Sequence, residues 1–391
     1  MKQIIIKTII WIIIVNIFAL FALNRFNLKS DTAYSWISPE DFHQTQSWDL
    51  IDLHSRWDSF WYLDIAKNGY SLEGSHGMAN IVFFPIYPGL ITISAPLFLN
   101  NYMLAGWTIS LIFLILAVVY LYKLVDEFHP NIKPEEVICF LIIFPTSFFL
   151  NAIYTESLFL FLSILCFYYL LKKNYKIAGI TGFFAALTRP TGVFLFAPML
   201  WEFLTSNLDW FNKLNNQIKS LLNSSSKTKK FVKPKINFIS IFYVTLPIIG
   251  LFSFLFFHYI KFGDLFKYFE IMKAWDRRIF GFHPEHFMVF SPAALTNLSL
   301  DLLFVLFGLI CIFFIFKKLR TSYGIYSLLA LSTPILTGTL MSIGRYELVI
   351  FPIFIILASI KSKNIKQIYT FTSILLMAVN IILFVNNYWA G

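Results

Sequence analysis

The sequence predicts an all-α protein that crosses a membrane many times. Of its 391 residues, 58% are hydrophobic and only 13% are charged, and the mean hydropathy is +0.70. A soluble domain carries about a quarter charged residues, so this composition excludes a water-soluble enzyme. Aromatic residues make up 19% of the chain, which is typical of a protein with many membrane–water boundaries. We therefore expect a single integral membrane domain over residues 1–391.

The first apolar segment runs from Thr8 to Leu23, behind Lys2 and Lys7. Its core is longer than the roughly 7–15 residues of a signal peptide, and it lacks an A-x-A-like cleavage site. The pattern predicts an uncleaved transmembrane helix whose amino end lies in the cytoplasm.

The charges of the loops predict the orientation of the chain. Residues 24–101 carry eight acidic and four basic residues, and we place them outside the cytoplasm as a long first loop with juxtamembrane helices. Residues 205–235 carry seven lysines and one aspartate, and the segments 317–320 and 361–366 are basic as well. Short basic loops lie on the cytoplasmic side, so residues 261–297 become a second outer loop. The net charge of +10 thus reports orientation and not affinity for nucleic acid.

The apolar segments predict about eleven crossings in total. After the first helix, the spans of ordinary length lie near 102–124, 238–260, 298–316, 322–341 and 368–388. The shorter spans lie near 135–150, 157–172, 176–188, 191–204 and 345–360. The apolar stretch 82–99 contains three prolines and is expected to lie at the outer surface as a broken juxtamembrane segment.

The short spans place three charged residues below the lipid headgroups. Glu156 and Arg189 lie at the tips of short helix pairs, and Arg345 begins another short span. Irregular backbone at that depth is tolerated only where it lines a protein-enclosed or watery cavity, and charges there usually have a function. An arginine that snorkels to lipid phosphate is the alternative explanation.

The densest polar cluster lies in the first loop, at residues 54–70. Arg56 and Asp58 flank Trp57 immediately before an amphipathic run. An acidic residue is favoured at the start of a helix, so Asp58 has a structural explanation as a helix cap beside a functional one.

The sequence indicates no metal site and no disulfide framework. Asp58 together with Asp52 or Asp64 lacks the spacing of a metal site, and the three cysteines lie in apolar runs without a Cys-x-x-Cys motif. No cofactor is therefore predicted, while a divalent metal stays open.

Six motifs, in chain order, resemble those of one family. They are residues 56–70 (Arg-Trp-Asp, then Tyr62, Ile-Ala and Gly-Tyr), 83–88 (Phe-Phe-Pro-Ile-Tyr-Pro), 154–157 (Tyr-Thr-Glu-Ser), 188–192 (Thr-Arg-Pro-Thr-Gly), 263–275 (Gly-Asp to Trp) and 345–352 (Arg-Tyr to Phe-Pro). With them the sequence resembles the PIG-V family, the GPI mannosyltransferase II proteins and their prokaryotic relatives among the GT-C glycosyltransferases. The fifth motif departs from the family pattern, because Leu265 stands where the family has proline.

The resemblance implies a GT-C fold with an outward-facing cavity that the first loop covers. It implies an inverting enzyme that moves a hexose, mannose by family, from a polyprenyl-phosphate donor to a hydroxyl of a lipid, glycan or protein acceptor. The reaction would take place on the extracytoplasmic side, at the cell membrane if the protein is prokaryotic. Asp58 is the position that matches the acidic residue serving as the base in such enzymes.

The chemistry of the transfer then indicates which residues bind the phosphate of the donor. An inverting transfer needs a base for the acceptor proton and fixed positive charge for the leaving phosphate. Guanidinium groups match phosphate oxygens and stay charged near lipid, so we assign the donor phosphate to Arg345 and then to Arg189.

The remaining candidates orient or bind the substrate. We expect Arg56 to orient Asp58 through a salt bridge, and Glu156 to hold hydroxyls of the sugar or acceptor. Three aromatic residues are candidates for stacking on sugar or lining the lipid groove: Trp57, Trp275 and Tyr346. Anchoring at the membrane boundary is the alternative for such residues.

Two other classes of protein stay open. A secondary transporter or lipid flippase would also have a charged cavity, but transporters place charges near the bilayer midplane and commonly show inverted repeats. Here the charges gather toward one face. A non-catalytic scaffold or lipid-binding protein is the third class, and it predicts that Asp58→Asn leaves function untouched.

Overall fold

The computed structural model describes residues 1–26, 50–73, 78–208, 211, 238–275, 277 and 292–390. All regular elements within these residues are helices, which confirms the predicted all-α class. Most of the lysine-rich loop 205–235 and the middle of the loop 261–297 lie outside the described residues, so the sides on which we place them stay predictions.

Fifteen α-helices form the described part of the chain. They are α1 (Lys2–Arg25), α2 (Ser59–Asn68), α3 (Ile86–Ser94), α4 (Tyr102–Phe128), α5 (Pro134–Ile142), α6 (Glu156–Leu171), α7 (Tyr175–Ala186), α8 (Phe196–Asn207), α9 (Phe238–Phe262), α10 (Lys267–Met272), α11 (Pro292–Lys318), α12 (Thr321–Leu336), α13 (Ile343–Leu348), α14 (Pro352–Ala358) and α15 (Lys363–Val385). Short 3₁₀ helices cover Asp52–His54, Asn80–Val82, Ala95–Phe98, Ser147–Asn151 and Pro190–Leu195.

Five of the described helices, α1, α4, α9, α11 and α15, are long and apolar enough to cross a membrane. Each coincides with a span that the sequence predicts, so the chain is an integral membrane protein. The apolar helices Ile86–Phe98 and Glu156–Leu171 are shorter, as expected for the juxtamembrane segment and for one of the short spans. The total of about eleven crossings stays a prediction.

Two of the expected short spans are not continuous helices. The predicted span 135–150 divides into α5 and the 3₁₀ helix Ser147–Asn151, with Pro145 between them. The predicted span 345–360 divides into α13 and α14, and Pro352 begins the second piece. Proline has no backbone N–H to donate and disfavours helical geometry in the residue before it, so each helix ends ahead of its proline. Both breaks lie close to the charged residues described below.

Helices α7 and α9 pack closely through glycine. A Cβ on Gly179 would collide with the backbone carbonyl of Tyr243, and a Cβ on Gly250 would lie 2.7 Å from the carbonyl oxygen of Phe183. Small residues at such positions let membrane helices approach until their backbones touch. This contact fixes α7, which ends just before Arg189.

The first loop is docked onto the helix bundle by its residues 52–56. The imidazole of His54 stacks on the indole of Trp107 in α4 with the ring centroids 4.5 Å apart. The backbone nitrogen of Ile153 donates to the carbonyl oxygen of His54 at 3.0 Å, and the Tyr154 hydroxyl donates to that of Arg56 at 2.9 Å. Burial, together with the neighbouring guanidinium, lowers the pKa of His54 to about 3. The loop therefore rests on a neutral imidazole.

The glycine contact can be tested with two alanine substitutions. Gly179→Ala forces α7 and α9 apart, and overpacking of this kind costs about 1–3 kcal/mol, so the thermal unfolding midpoint in detergent should fall clearly. Gly89→Ala in α3 is the control, because its new methyl group would meet nothing within 4 Å. Equal midpoints for the two variants would contradict the close approach.

Acidification is expected to destabilise the protein through His54. The unfolded chain takes up a proton below the ordinary pKa of 6.5, whereas the folded protein takes it up only below about 3. The resulting loss of stability is absent above pH 6.5, grows as the pH falls, and reaches about 2 kcal/mol at pH 5.

We expect the thermal midpoint to fall from pH 7.5 to pH 5.0, and to fall less in the His54→Gln variant. The variant loses the ring stacking at every pH, so only its pH dependence is diagnostic. The same fall in both proteins would show that His54 does not titrate in this way.

Candidate active site

Asp58 lies immediately before α2, yet its carboxylate does not cap that helix. Its Oδ2 atom instead accepts a hydrogen bond from NH1 of Arg345 at 2.9 Å. Oδ1 makes no hydrogen bond within the described residues, and 18% of the side chain is exposed. The purely structural explanation of this aspartate as a helix cap is therefore wrong.

The backbone before Asp58 is held in an unusual conformation. Trp57 has a φ of +53°, in the left-handed region that a bulky residue rarely adopts. Its indole nitrogen donates to the carbonyl oxygen of Tyr388 at 3.1 Å, and its ring meets that of Trp389 edge-on at 5.2 Å. Asn387, also left-handed with a φ of +62°, turns the chain after α15 so that these residues reach the first loop. The segment 386–390 thus fixes the turn that presents Asp58.

Arg345 joins Asp58 to a second, deeply buried carboxylate. Its Nε atom donates to Oε1 of Glu156 at 3.0 Å, while NH1 binds Asp58. Its guanidinium carbon lies 4.9 Å from the ring centroid of Phe149 and 4.7 Å from that of Tyr154. Cation–π contacts of this kind strengthen when the charge is desolvated. The short helix α13, ended by the break before Pro352, places this arginine.

Glu156 is shared between two arginines. It is the first residue of α6 and is completely buried, and NH1 of Arg189 lies 2.7 Å from its Oε1 atom. Arg189 precedes Pro190, and its guanidinium carbon lies 5.3 Å from the ring centroid of Tyr346. Two arginines from different short spans, Arg189 and Arg345, therefore contact the same Oε1 atom at the start of α6.

The four charges balance one another. Arg189 and Arg345 carry two positive charges, and Asp58 and Glu156 carry two negative charges. Isolated buried charges are expensive, and pairing them with good hydrogen bonds is what makes such a cluster tolerable. We refer to Asp58, Glu156, Arg189 and Arg345 as the charge network.

A cavity of about 170 Å³ opens beside the charge network. Its charged lining consists of Asp58, Arg189, Arg277 and Arg345. Its aromatic lining includes Trp57, Trp61, Phe83, Trp275, Tyr346 and Trp389. Trp61 stacks on Phe83 at 5.9 Å and meets Trp275 edge-on at 5.2 Å, so the aromatic wall is continuous. A wall of this kind suits a ligand that has both an apolar part and a charged group.

Most of the residues singled out from the sequence meet at this cavity. Those that line it are Asp58, Arg189, Arg345, Trp57, Trp275 and Tyr346. Glu156 does not line it, because its side chain lies behind the two guanidinium groups with no exposed surface. The expectation that Glu156 holds substrate hydroxyls stays a prediction, and its position is that of a residue that orients both arginines.

The expected salt bridge between Arg56 and Asp58 does not form. The Arg56 guanidinium, 1% exposed, donates to the Asp52 carbonyl oxygen at 2.6 Å and to its carboxylate at 3.3 Å. It also donates to the carbonyl oxygens of Ser55 at 2.8 Å and Val385 at 3.4 Å. The left-handed turn that follows Arg56 separates it from Asp58, so it ties the loop to α15 instead of orienting the aspartate.

Several cavity residues were missed from the sequence, among them Trp61, Arg277 and Trp389. Trp61 and Trp389 resemble ordinary interfacial tryptophans in a chain with 10 of them, and nothing near 386–390 indicates that this segment returns to the first loop. The sequence offered a signal for Arg277, because this residue follows Trp275 of the fifth motif by two positions in the outer loop 261–297.

The acidic residues weighed as metal ligands have other partners. Asp52 pairs with Arg56, and the Asp64 carboxylate accepts hydrogen bonds from the amides of Asn68 at 2.8 Å and Asn80 at 2.6 Å. Across the described ranges, no group of three or more His, Cys, Asp or Glu side chains could hold a metal ion.

Comparison with protein families gives one match. The family described as mannosyltransferase (PIG-V) matches residues 3–263, which include Asp58, Glu156 and Arg189, whereas Arg277 and Arg345 lie beyond the matched region. No curated protein matches the sequence.

Among solved structures, the chain is similar to the oligosaccharyltransferase of Archaeoglobus fulgidus tethered with an acceptor peptide, with 13% identity, a TM-score of 0.45 and coverage of 97% of this chain and 56% of that one. It is also similar to the archaeal oligosaccharyltransferase AglB from Archaeoglobus fulgidus in complex with an inhibitory peptide and a dolichol-phosphate, with 14% identity, a TM-score of 0.41 and coverage of 97% and 56%. The chain thus spans little more than half the length of these proteins.

The shared carboxylate of Glu156 can be tested through stability. Glu156→Gln keeps the shape but removes the charge between two buried guanidinium groups, and breaking a buried pair in this way costs about 3–5 kcal/mol. Glu270→Gln is the matched control, because its pair with Lys267 is 57% exposed on the glutamate side and is worth at most about 1 kcal/mol. We expect a large fall of the thermal midpoint for the first variant only, and similar midpoints would contradict the assignment.

Proposed function

The chain belongs to the mannosyltransferase (PIG-V) family and is thereby a glycosyltransferase, and from this premise we propose which reaction it performs and how. The proposed reaction moves a hexose, with mannose the first candidate, from a polyprenyl-phosphate donor to an acceptor hydroxyl. The acceptor is a lipid, a glycan or a protein. Within the GT-C class, this reaction inverts the anomeric carbon.

The position of Asp58 is the observation that supports this proposal most directly. Its carboxylate lies at the cavity, is held by Arg345 at 2.9 Å through one oxygen, and keeps Oδ1 without a partner in the described part of the chain. A carboxylate fixed in this way can accept a proton on Oδ1 without having to rotate. We assign it as the general base.

The reaction is a single displacement. The acceptor oxygen attacks the anomeric carbon of the hexose from the side opposite the phosphate, and its proton passes to Asp58. The bond between that carbon and the phosphate oxygen breaks, and the phosphate leaves with the electron pair. No acid is needed, because the leaving phosphate is already a stable anion.

Arg345 and Arg189 stabilise the charge that develops on the leaving phosphate. The NH2 group of Arg345 makes no hydrogen bond within the described residues, so it is available to a phosphate oxygen. Because Glu156 fixes both guanidinium groups in advance, little reorganisation accompanies the reaction, which is the condition under which electrostatic stabilisation is most effective.

The aromatic wall gives the donor its orientation. Trp57, Trp275 and Tyr346 line the cavity and are assigned to stacking on the sugar or contacting the polyprenyl chain. Large aromatic rings supply such contacts with little loss of side-chain entropy. The acidic first loop and the lysine-rich loops favour a site on the extracytoplasmic side, which is the outer side of the cell membrane if the protein is prokaryotic.

The proposal is tested by the turnover of purified protein with polyprenyl-phosphate mannose and mass spectrometry of the products. We expect Asp58→Asn to lower turnover by about 100- to 10,000-fold, because the amide cannot take the acceptor proton. Donor binding should not weaken, since the variant keeps an oxygen for Arg345 and removes no positive charge. Asp126→Asn, an exposed aspartate on α4, is the matched control and should keep wild-type turnover.

Two outcomes would overturn the assignment. Undiminished turnover in Asp58→Asn would place the base elsewhere. The absence of transfer by the wild-type protein across a panel of polyprenyl-phosphate sugars and hydroxyl acceptors would contradict the proposed reaction itself.

A further inference from the structure

A third arginine lines the cavity without belonging to the charge network. The guanidinium of Arg277 extends to the segment between α12 and α13, where NH2 donates to the carbonyl oxygen of Met341 at 3.1 Å. Its NH1 donates to the hydroxyl of Thr337 at 3.3 Å. Two of the five N–H donors of the guanidinium are thus engaged, and the group is held in one orientation.

Among the residues that the structure describes, no carboxylate pairs with the charge of Arg277. Both of its partners are neutral acceptors, and no carboxylate of the described residues lies within 4.0 Å of it. Asp301 on α11 interacts with it only through longer-range electrostatics. Arg189, in contrast, has a carboxylate oxygen at 2.7 Å, and Arg345 has two at 2.9 and 3.0 Å.

This difference in pairing gives the three arginines different electrostatic roles. The charge network sums to zero, so it offers little net attraction to an anion that is still outside the cavity. A cation without a counter-ion does attract an anion, and a partly enclosed site strengthens the attraction. Within the described lining, Arg277 is the residue that gives this cavity its net positive charge.

We propose that the wall of the cavity at Arg277 is a binding site for the phosphate of a lipid phosphate, and that Arg277 is its anchor. On this assignment Arg277 holds the phosphodiester of the donor before the reaction, and Arg345 and Arg189 act on the charge that develops during it. The proposal rests on the proposed function, and it adds a residue outside the region that matches the family.

The place of Arg277 in the fold supports this division. Thr337 and Met341, which hold its guanidinium, belong to the segment that leads through the left-handed Ser342, with a φ of +70°, into α13 and Arg345. A phosphate on Arg277 therefore binds next to the segment that carries the arginine bound to Asp58. The residues from Met341 to Arg345 thus join the segment that holds Arg277 to the arginine that binds the base.

The charge of the ligand changes during the reaction, which gives the proposal a second consequence. A donor phosphodiester carries one negative charge, whereas the polyprenyl phosphate left behind is a monoester with about −1.5 to −2 at neutral pH. An unmatched guanidinium binds the more highly charged ligand more tightly. We expect the product to bind more strongly than the donor, and this preference to depend on Arg277.

The test uses farnesyl phosphate and uncharged farnesol as probes of the purified full chain, with affinities measured by titration in detergent. We expect Arg277→Gln to weaken farnesyl phosphate binding at least tenfold and to leave farnesol binding unchanged, while Arg277→Lys is intermediate because it keeps the charge but loses the planar fork. Lys273→Gln is the matched control, because it removes an exposed cation of the same segment that does not line the cavity. It should bind both probes as the wild type does.

Kinetics with the sugar donor separate binding from chemistry. Arg277→Gln should raise KM for the donor about tenfold and change kcat by less than about threefold, since it removes binding and not transition-state stabilisation. Undiminished binding of farnesyl phosphate by Arg277→Gln would overturn the proposal, as would an equal loss of binding for both probes.

The two proposals can fail separately. A wild-type protein that transfers no sugar, but binds farnesyl phosphate through Arg277, would overturn the proposed reaction and support the phosphate site. A protein that loses turnover on Asp58→Asn, but not affinity on Arg277→Gln, would do the reverse.

Discussion

The buried carboxylate of Glu156 is the constraint on which the rest of the site depends. With no exposed surface, it must be compensated inside the protein, and it is compensated by two arginines from two other segments. This requirement brings together the start of α6, the break before Pro190 and the short helix α13. Neither guanidinium could be buried as deeply without it, because an uncompensated charge at this depth is strongly unfavourable. The aromatic rings stacked on both guanidinium groups complete the same compensation.

The arrangement explains why only one oxygen of the Asp58 carboxylate is hydrogen-bonded. Arg345 donates to one oxygen of Asp58 and to one oxygen of Glu156, so the buried Glu156 fixes the position of Asp58 through this arginine. Within the described residues the remaining oxygen of Asp58 has no partner, which leaves it open to the cavity. A helix cap would have used that oxygen for the backbone. Asp58 occupies the capping position, but the strained turn at Trp57 directs its carboxylate toward Arg345 and not toward the first N–H groups of α2.

Sequence reasoning predicts the helical class and the long spans, because apolar length alone determines them. It also leads to Arg189 and Arg345, since charged residues at the tips of short apolar segments have few structural uses in a membrane. Asp58 is reached through the first-loop motif and the family resemblance. It fails for Arg56, whose partner depends on a single backbone dihedral at the next residue, which composition and spacing do not reveal. It fails again for Trp389, because the contact with Trp57 bridges more than three hundred positions of the chain and depends on the left-handed turn at Asn387.

That turn at Trp57 also limits how far this protein can be engineered for robustness. A left-handed bulky residue holds about 1–3 kcal/mol of conformational strain, which glycine or asparagine would relieve. Either replacement would also remove a buried indole, its hydrogen bond to Tyr388 and its contact with Trp389, and the loss of a buried tryptophan costs about 3–5 kcal/mol. Relieving the strain therefore brings no net gain in thermal stability, and it would also release the turn that directs the neighbouring carboxylate.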